Sequence, residues 1–293
     1  MSIKIIEERL KEYTPMSQQD ELNAIKEVVQ EIALCALARS GFFKIAAFQG
    51  GSCLRIVYHH NRFSEDLDFI LLKPDRSFVW EPFLKALKME FELYALEFQI
   101  IDRSKADKAI KMAFLKDNSF GKVLILKHPR SISDKQTIQI KLEIDTNPPA
   151  GSNFQSHFLN FPYPFSIVTQ DLPSLFASKI HALLCRPYVK GRDWFDFIWY
   201  VSKKVVPNYA HLQKAIEQIG PWNNQVVNVS KDWLITALNS KIKTINWKDA
   251  RQDTENFLRL NERHGLEVWD RDFFIDMVAK FNEYLAPYPQ KKL

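Results

Sequence analysis

The segment Phe48-Gln-Gly-Gly-Ser-Cys-Leu-Arg55, followed by Arg62-Phe-Ser-Glu-Asp66-Leu-Asp68-Phe69, constrains this chain more than any other stretch. Phe43 to Phe48 reads as a strand that Gly50-Gly51 ends abruptly. Ser52 can then cap a short helix through Tyr58. After a break at His59-His60-Asn61, Asp66 to Leu72 reads as a second strand, closed by Lys73-Pro74-Asp75. Residues i and i+2 of a strand point the same way, so Asp66 and Asp68 project together while Leu67, Phe69 and Leu71 face a core.

Two carboxylates roughly 6.5 Å apart along one strand repel each other unless a cation lies between them. Magnesium suits such a place, because it takes hard oxygen ligands and keeps positions open for phosphate oxygens. The glycines let backbone approach a triphosphate, and a helix N-terminus adds free N–H groups and a positive dipole end. Ser52 could add a hydroxyl donor. Each half alone is ordinary, since Asp-x-Asp is often two exposed acids and Gly-Gly-Ser a plain turn. Together they point to phosphate and metal.

A third carboxylate is available on Thr137-Ile-Gln-Ile-Lys-Leu-Glu-Ile-Asp145, where Gln139, Lys141, Glu143 and Asp145 share the polar face of an alternating strand. Asp145, at the strand end before Thr146-Asn147-Pro148-Pro149, is preferred, with Glu143 as its competitor. Farther on, Asp171 to Leu184 reads as a helix whose apolar stripe contains Lys179, an unfavourable place unless the ammonium reaches a cleft or an acid. A snorkelling lysine at a core edge is the plain alternative. His181 reads as structural. Lys190-Gly-Arg-Asp-Trp-Phe-Asp196 opens another helix, with Asp193 and Asp196 where the dipole favours acids in any protein. With Lys190 and Arg192, these acids could orient Lys179 or contact a nucleotide.

Ser17 to Ser40 carries helical spacing with Gly41 as the stop, and Trp80 to Leu96 reads as a second long helix. Phe98 to Asp102 and Val123 to Lys127 are further strand candidates. Helix and strand alternate up to this region, which argues for an α/β or α+β domain with a mixed sheet; from Asp171 onward the pattern is helical. The boundary is placed at Phe161-Pro-Tyr-Pro-Phe165, giving domains 1–165 and 166–293.

Composition limits what surrounds these motifs. With 293 residues, 46% of them hydrophobic, the chain can bury one large core or two modest ones. A net charge of +5 permits a polyanionic partner without requiring one. The three cysteines, Cys35, Cys53 and Cys185, and the seven histidines lack zinc-ligand spacing, and no C-x-x-C is present. The longest apolar run, Ile32 to Ala38, is far short of the roughly 20 residues that span a bilayer. A reduced, cytoplasmic protein is expected, with no membrane role.

The ordered set Gly51-Ser52, Asp66-x-Asp68, Lys141-x-Glu-Ile-Asp145, Ser178-Lys179-Ile-His-Ala-Leu and Lys190-Gly-Arg-Asp-Trp-Phe-Asp196 resembles the AbiEii/AbiGii nucleotidyltransferase family over about residues 43 to 202. These are toxins of abortive-infection and type IV toxin–antitoxin systems. The resemblance implies an α+β, DNA polymerase β-like nucleotidyltransferase domain with a mixed sheet, followed by a helical C-terminal domain that completes the active site. It implies that Asp66 and Asp68 bind Mg2+, that Gly51 and Ser52 hold the triphosphate, and that Lys179 with Asp193 or Asp196 completes the site. It also implies a cognate antitoxin.

The expected catalytic set is therefore Asp66, Asp68, Asp145, Lys179 and Asp193, with Asp66, Asp68 and Asp145 as ligands of a two-metal site. The expected nucleotide-binding set is Gly50, Gly51, Ser52, Arg55, Lys179, Lys190, Arg192 and Asp196. The reaction expected is transfer of a nucleoside monophosphate from an NTP to an acceptor hydroxyl, on RNA or tRNA, with Asp145 accepting the hydroxyl proton. A small-molecule acceptor of the antibiotic type, or a nucleotide-binding interaction module without turnover, are the alternatives. Arg103, Lys105, Lys108 and Lys111, ahead of Phe114 and Phe120, are candidates for a basic groove, against the plainer reading of a solvated helix face.

Overall fold

A computed structural model describes residues 2–96, 98–102, 110–117, 138–223 and 225–285. The chain forms two compact units. One comprises Met1–Pro148, Phe154–Thr169 and Phe257–Leu260; the other comprises Pro149–Asn153, Gln170–Asn256 and Asn261–Leu293. The first is α+β and the second helical, in agreement with the expected fold class.

The first unit begins with helices α1 (Ser2–Lys11) and α2 (Gln18–Arg39). Ser17 caps α2 by accepting from the Asp20 amide, and Gly41, at φ 78°, turns the chain out of it. Phe42–Lys44 then form a 3-10 turn, where the strand was expected to begin at Phe43, so strand β1 is only Ala46–Gln49. Helix α3 (Gly50–Tyr58), strand β2 (Leu67–Leu71) and helix α4 (Glu81–Leu93) follow. Strands β3 (Phe98–Asp102), β4 (Ile110–Asp117), β5 (Ile138–Asp145), β6 (Phe154–Leu159) and β7 (Phe165–Gln170) complete a seven-stranded sheet in the order β3-β4-β5-β2-β1-β7-β6. It is mixed, since β2 is antiparallel to β1 and parallel to β5.

The alternation read from the sequence is what orients this sheet. Leu67, Phe69 and Leu71 of β2 are buried, as are Ile138, Ile140, Leu142 and Ile144 of β5. Phe69 packs edge-on against Phe42, whose ring stacks on Trp80 at 5.5 Å, and Trp80 is wholly buried. Such rings contribute beyond their buried area through offset and edge-to-face geometry. They fix β2 with its acidic positions on the opposite face.

Three strands were not expected from the sequence. Lys111 lies in β4, opposite Ile144 of β5, and not on a helix face. β7 follows the proline segment and enters the sheet beside β1, with Phe48 opposite Thr169. The edge strand β6 leaves Phe158 exposed, so it lacks an inward apolar alternation. The strand expected at 123–127, and Arg103, Lys105, Lys108 and Phe120, fall outside the described residues.

The helical unit is built from α5 (Leu172–Cys185), α6 (Gly191–Ser202), α7 (Tyr209–Gln218), α8 (Lys231–Ile242), α9 (Trp247–Glu255) and α10 (Arg271–Tyr284). Asp171 caps α5 by accepting from the Ser174 amide at 2.9 Å. Phe176 stacks on Tyr200 at 4.3 Å, and Trp247 stacks on Phe274 at 4.0 Å with Trp194 edge-on to both. No described helix is long and apolar enough to cross a membrane. All three cysteines are free thiols.

Gly191 lets α6 lie directly on α9. A Cβ there would overlap the carbonyl of Ala250 and stand 2.6 Å from Thr254 Oγ1. Gly191→Ala is therefore expected to lower unfolding stability by about 1–3 kcal/mol, as overpacking does elsewhere. An unchanged urea midpoint would contradict this close packing.

Candidate active site

In the first unit, β1 passes into α3 without an intervening loop. Gln49 occupies the N-cap position in extended conformation, and Gly50 starts the helix at φ 78°. Only glycine fits, because a Cβ on Gly50 would overlap the Asp68 carboxylate, besides the cost of a left-handed backbone. Gln49 is also opposite Asp68 in the β1–β2 register. The first amides of α3 and the Asp68 side chain are thus brought together by one tight junction, a suitable place for an anion with its counter-cation.

Ser52 has a different role from the expected N-cap. The helix starts two residues earlier, and the Ser52 hydroxyl is fully buried, donating to the Asp66 carbonyl. It ties α3 to the entry of β2 and so sets where Asp66 begins to project. Asp66 itself immediately precedes the strand, and both Asp66 and Asp68 are half-buried.

Arg62 and Ser64 belong to this junction although the sequence reading did not single them out. A Cβ on Gly51 would lie 2.7 Å from Arg62 Nη2 and 2.9 Å from Ser64 Oγ. Arg62 is buried and donates to the Phe63 carbonyl at 2.8 Å. The guanidinium therefore supplies a positive charge directly against the glycine backbone. Their positions four and two residues before Asp66 were the available signal.

Arg55, expected to contact nucleotide, is instead engaged elsewhere. Its Nε binds Glu27 of α2 at 2.7 Å, its Nη1 donates to the carbonyls of His60 and Asn61 at 2.9 Å, and its guanidinium covers the Phe63 ring. A side chain spread over four partners closes the loop after α3; its job is structural.

The β2–β5 register separates the two candidates for a third acid. Asp68 is opposite Glu143, whereas Asp145 is opposite Ile70, a buried residue one step further along the same face. The Asp145 carboxylate also accepts from the Asn147 amide at 2.8 Å, closing the turn after β5. Burial pushes the Asp145 carboxyl up, against the opposing pull of that amide. Glu143 forms an ion pair with Lys141, two residues away on its own face. Asp66, Asp68 and Glu143 thus share a face, with Lys141 beside them.

The helical unit carries its own charged cluster. Lys179 Nζ lies 2.6 Å from Asp193 Oδ1 and 2.8 Å from Asp196 Oδ2, and Arg186 Nη1 lies 2.7 Å from Asp193 Oδ2. Lys179 retains 12% side-chain exposure, while Asp193 and Asp196 retain 5% and 0%. Both acids bind the lysine, so the doublet acts as one clamp. Burial drives the Asp193 carboxyl up, but Lys179 and Arg186 overcome it and leave it below the usual range. Lys190 is held below its ordinary value by burial and by the neighbouring Arg192 charge. Arg192 Nε stands 3.6 Å from Asp253, and His181 reaches the Ile219 carbonyl at 2.8 Å in a structural contact.

Gly50→Ala tests the junction directly. It is expected to cost about 1–2 kcal/mol of stability from the left-handed backbone alone. Because the added methyl displaces Asp68, activity is expected to fall by more than the change in folded fraction explains. Retained activity in a folded Gly50→Ala protein would show that Asp68 does not need this position.

No curated protein matches the chain. Two solved structures align with it: a candidate nucleotidyltransferase from H. pylori, at 16% identity and TM-score 0.41 over 86% of this chain and 89% of that one, and JHP933 from Helicobacter pylori, at 16% identity and TM-score 0.42 over 86% and 87%. The family described as "Nucleotidyl transferase AbiEii toxin, Type IV TA system" matches residues 32–277, spanning both the acid face of β2 and β5 and the Lys179 cluster. The chain belongs to the AbiEii nucleotidyltransferase toxin family.

Proposed function

We propose that this nucleotidyltransferase moves a nucleoside monophosphate from an NTP to a hydroxyl on RNA, with tRNA as the favoured acceptor, in a magnesium-dependent reaction in the cytoplasm. Asp66, Asp68 and Glu143 are its metal-binding acids. The observation that carries this reading is the pairing of β5 with β2, which sets Glu143 rather than Asp145 beside Asp68. Acids of β2 and β5 share one face, hard oxygen donors of the kind magnesium takes, and a cationic ammonium is already drawn to Glu143. Among the described residues no group of three or more His, Cys, Asp or Glu is arranged to hold a metal ion. Phosphate oxygens and water would complete the coordination of such a site. Magnesium bound there would offset charge on the attacking and leaving oxygens.

The chain's own groups do the rest. The first amides of α3, backed by the Arg62 guanidinium, bind the triphosphate. Glu143 accepts the proton of the acceptor hydroxyl as its oxygen bonds to the α-phosphorus and pyrophosphate departs. Lys179, held in place by Asp193 and Asp196, is our candidate cation of the helical unit for nucleotide phosphate. The mild basic balance of the chain is compatible with a polyanionic acceptor. Membership of a toxin–antitoxin family implies a cognate antitoxin.

Incubation with each labelled triphosphate and total tRNA tests the reaction. Asp66→Asn is expected to abolish incorporation while leaving the unfolding transition in place. Glu143→Gln is expected to lower turnover roughly a hundredfold or more, and Asp145→Asn by much less. Equal losses in the last two variants would remove the assignment of Glu143. Label appearing only on a small hydroxylated acceptor would replace RNA as the substrate.

Lys179 needs a variant that respects its partners. Lys179→Met removes this cation from buried Asp196 and leaves Asp193 with Arg186 alone, and is expected to cost about 3–5 kcal/mol. Lys179→Arg keeps the charge and is expected to hold stability within about 1 kcal/mol while weakening nucleotide affinity, because a planar fork does not replace a compact ammonium. Unaltered nucleotide affinity in Lys179→Arg would place the clamp outside the reaction.

A further inference from the structure

A small pocket within the helical unit carries more positive charge than its acids offset. Its polar and aromatic lining is Arg186, Tyr188, Lys190, Asp193, Trp194 and Lys241. Asp193 holds Lys179 through Oδ1 and Arg186 through Oδ2, and Asp196 also binds Lys179, so these two acids and two cations balance. Lys190 and Lys241 are left over. Lys241 donates to the neutral carbonyl of Arg186 at 2.8 Å, and among the described residues neither ammonium has an ion-paired carboxylate. Both side chains are half-buried. A cation so placed without a counter-ion is costly, and burial followed by the Arg192 charge already holds Lys190 below its ordinary pKa.

We propose that this pocket binds a backbone phosphate of the acceptor through Lys190 and Lys241, an inference that rests on reading RNA as that acceptor. A phosphodiester answers the excess charge, because it brings a negative charge and two free oxygens, one for each ammonium. The pocket is too small for a base, so it takes phosphate oxygens and leaves the rest of the nucleotide outside. Tyr188, in the same lining, is 63% exposed and lies 6.0 Å from the Arg186 guanidinium. An exposed ring beside a phosphate site is what unpaired RNA bases stack on. Lys179, the candidate cation for the donor nucleotide, shares Asp193 with Arg186 of this pocket. Donor and acceptor phosphates are thus held by neighbouring groups, as a transfer between two substrates requires. Lys190, expected with the donor nucleotide, serves the acceptor instead.

The test is filter binding of deacylated total tRNA to the full-length chain over a salt series, beside titration with each labelled triphosphate. Lys190→Gln and Lys241→Gln are each expected to weaken tRNA binding about threefold to tenfold and to lower the slope of log affinity against log salt by about one. Tyr188→Leu is expected to weaken tRNA binding about fivefold with the slope unchanged, since stacking displaces no counter-ions. Lys243→Gln makes the same charge change on an exposed residue two positions after Lys241 and is expected to alter neither quantity. Triphosphate affinity is expected to stay at the parent value throughout. Urea midpoints separate binding from folding: Lys190→Gln is expected to hold or raise the midpoint, because it removes a half-buried charge that has no partner. A midpoint lowered in step with tRNA affinity makes Lys190 structural and overturns the proposal. Unchanged tRNA affinity and slope in both lysine variants overturns the pocket and leaves RNA as the acceptor. Weakened triphosphate binding with tRNA binding intact assigns the pocket to the donor and overturns it equally. If the parent chain neither binds nor labels tRNA, the RNA reading fails and this proposal with it.

Discussion

The pairing of β2 with β5 is the constraint on which the acid site depends. Because the two strands run parallel with Asp68 opposite Glu143, the acids on their common face come to lie side by side. A shift of one residue would turn Glu143 toward the core and bring Ile144 or Leu142 to its place. Burial prevents that shift. Leu142 and Ile144 on β5, and Leu67 and Phe69 on β2, are almost wholly buried, and the Phe42–Phe69–Trp80 ring cluster anchors the apolar face. The hydrophobic core thus sets the geometry of the charged face behind which it lies.

The junction between β1 and α3 is the second device, and it works through absence of side chain. Gly50 leaves room for the Asp68 carboxylate, and Gly51 leaves room for Arg62 and Ser64. Ser52, inside the helix, holds the entry to β2 through the Asp66 carbonyl. Arg55, on the same helix, is clamped to Glu27 of α2. The short helix is therefore fastened at both ends, which keeps its free amides in a fixed place relative to the acids. Such preorganisation is what a site for a developing multiple negative charge requires.

Much of this was legible in the residues. The i, i+2 spacing of Asp66 and Asp68 and the alternation along 138–145 give the correct faces, since both depend only on the local period of a strand. Ser17 and Asp171 give the helix starts by the same local logic. The proposal of Glu143 over Asp145 rests on register between strands some seventy residues apart, which the residues alone do not show. Arg55 looked like a phosphate ligand because its Glu27 partner lies a whole helix away. β6 was missed because its outward Phe154 and Phe158 break the expected apolar-in pattern, and β7 because two prolines precede it. Lys179 was suspected from its misplaced charge, but only packing reveals that both Asp193 and Asp196 hold it.

The central proposal is that Asp66, Asp68 and Glu143 serve one cation site whose composition is set by strand register. A crystal structure with Mn2+ and a non-hydrolysable NTP analogue, with data collected at the manganese absorption edge, tests it most directly. The account predicts an anomalous peak beside these three carboxylates, next to the nucleotide phosphates. A peak coordinated by Asp145 and not by Glu143, or nucleotide bound with no metal near β2, would contradict it.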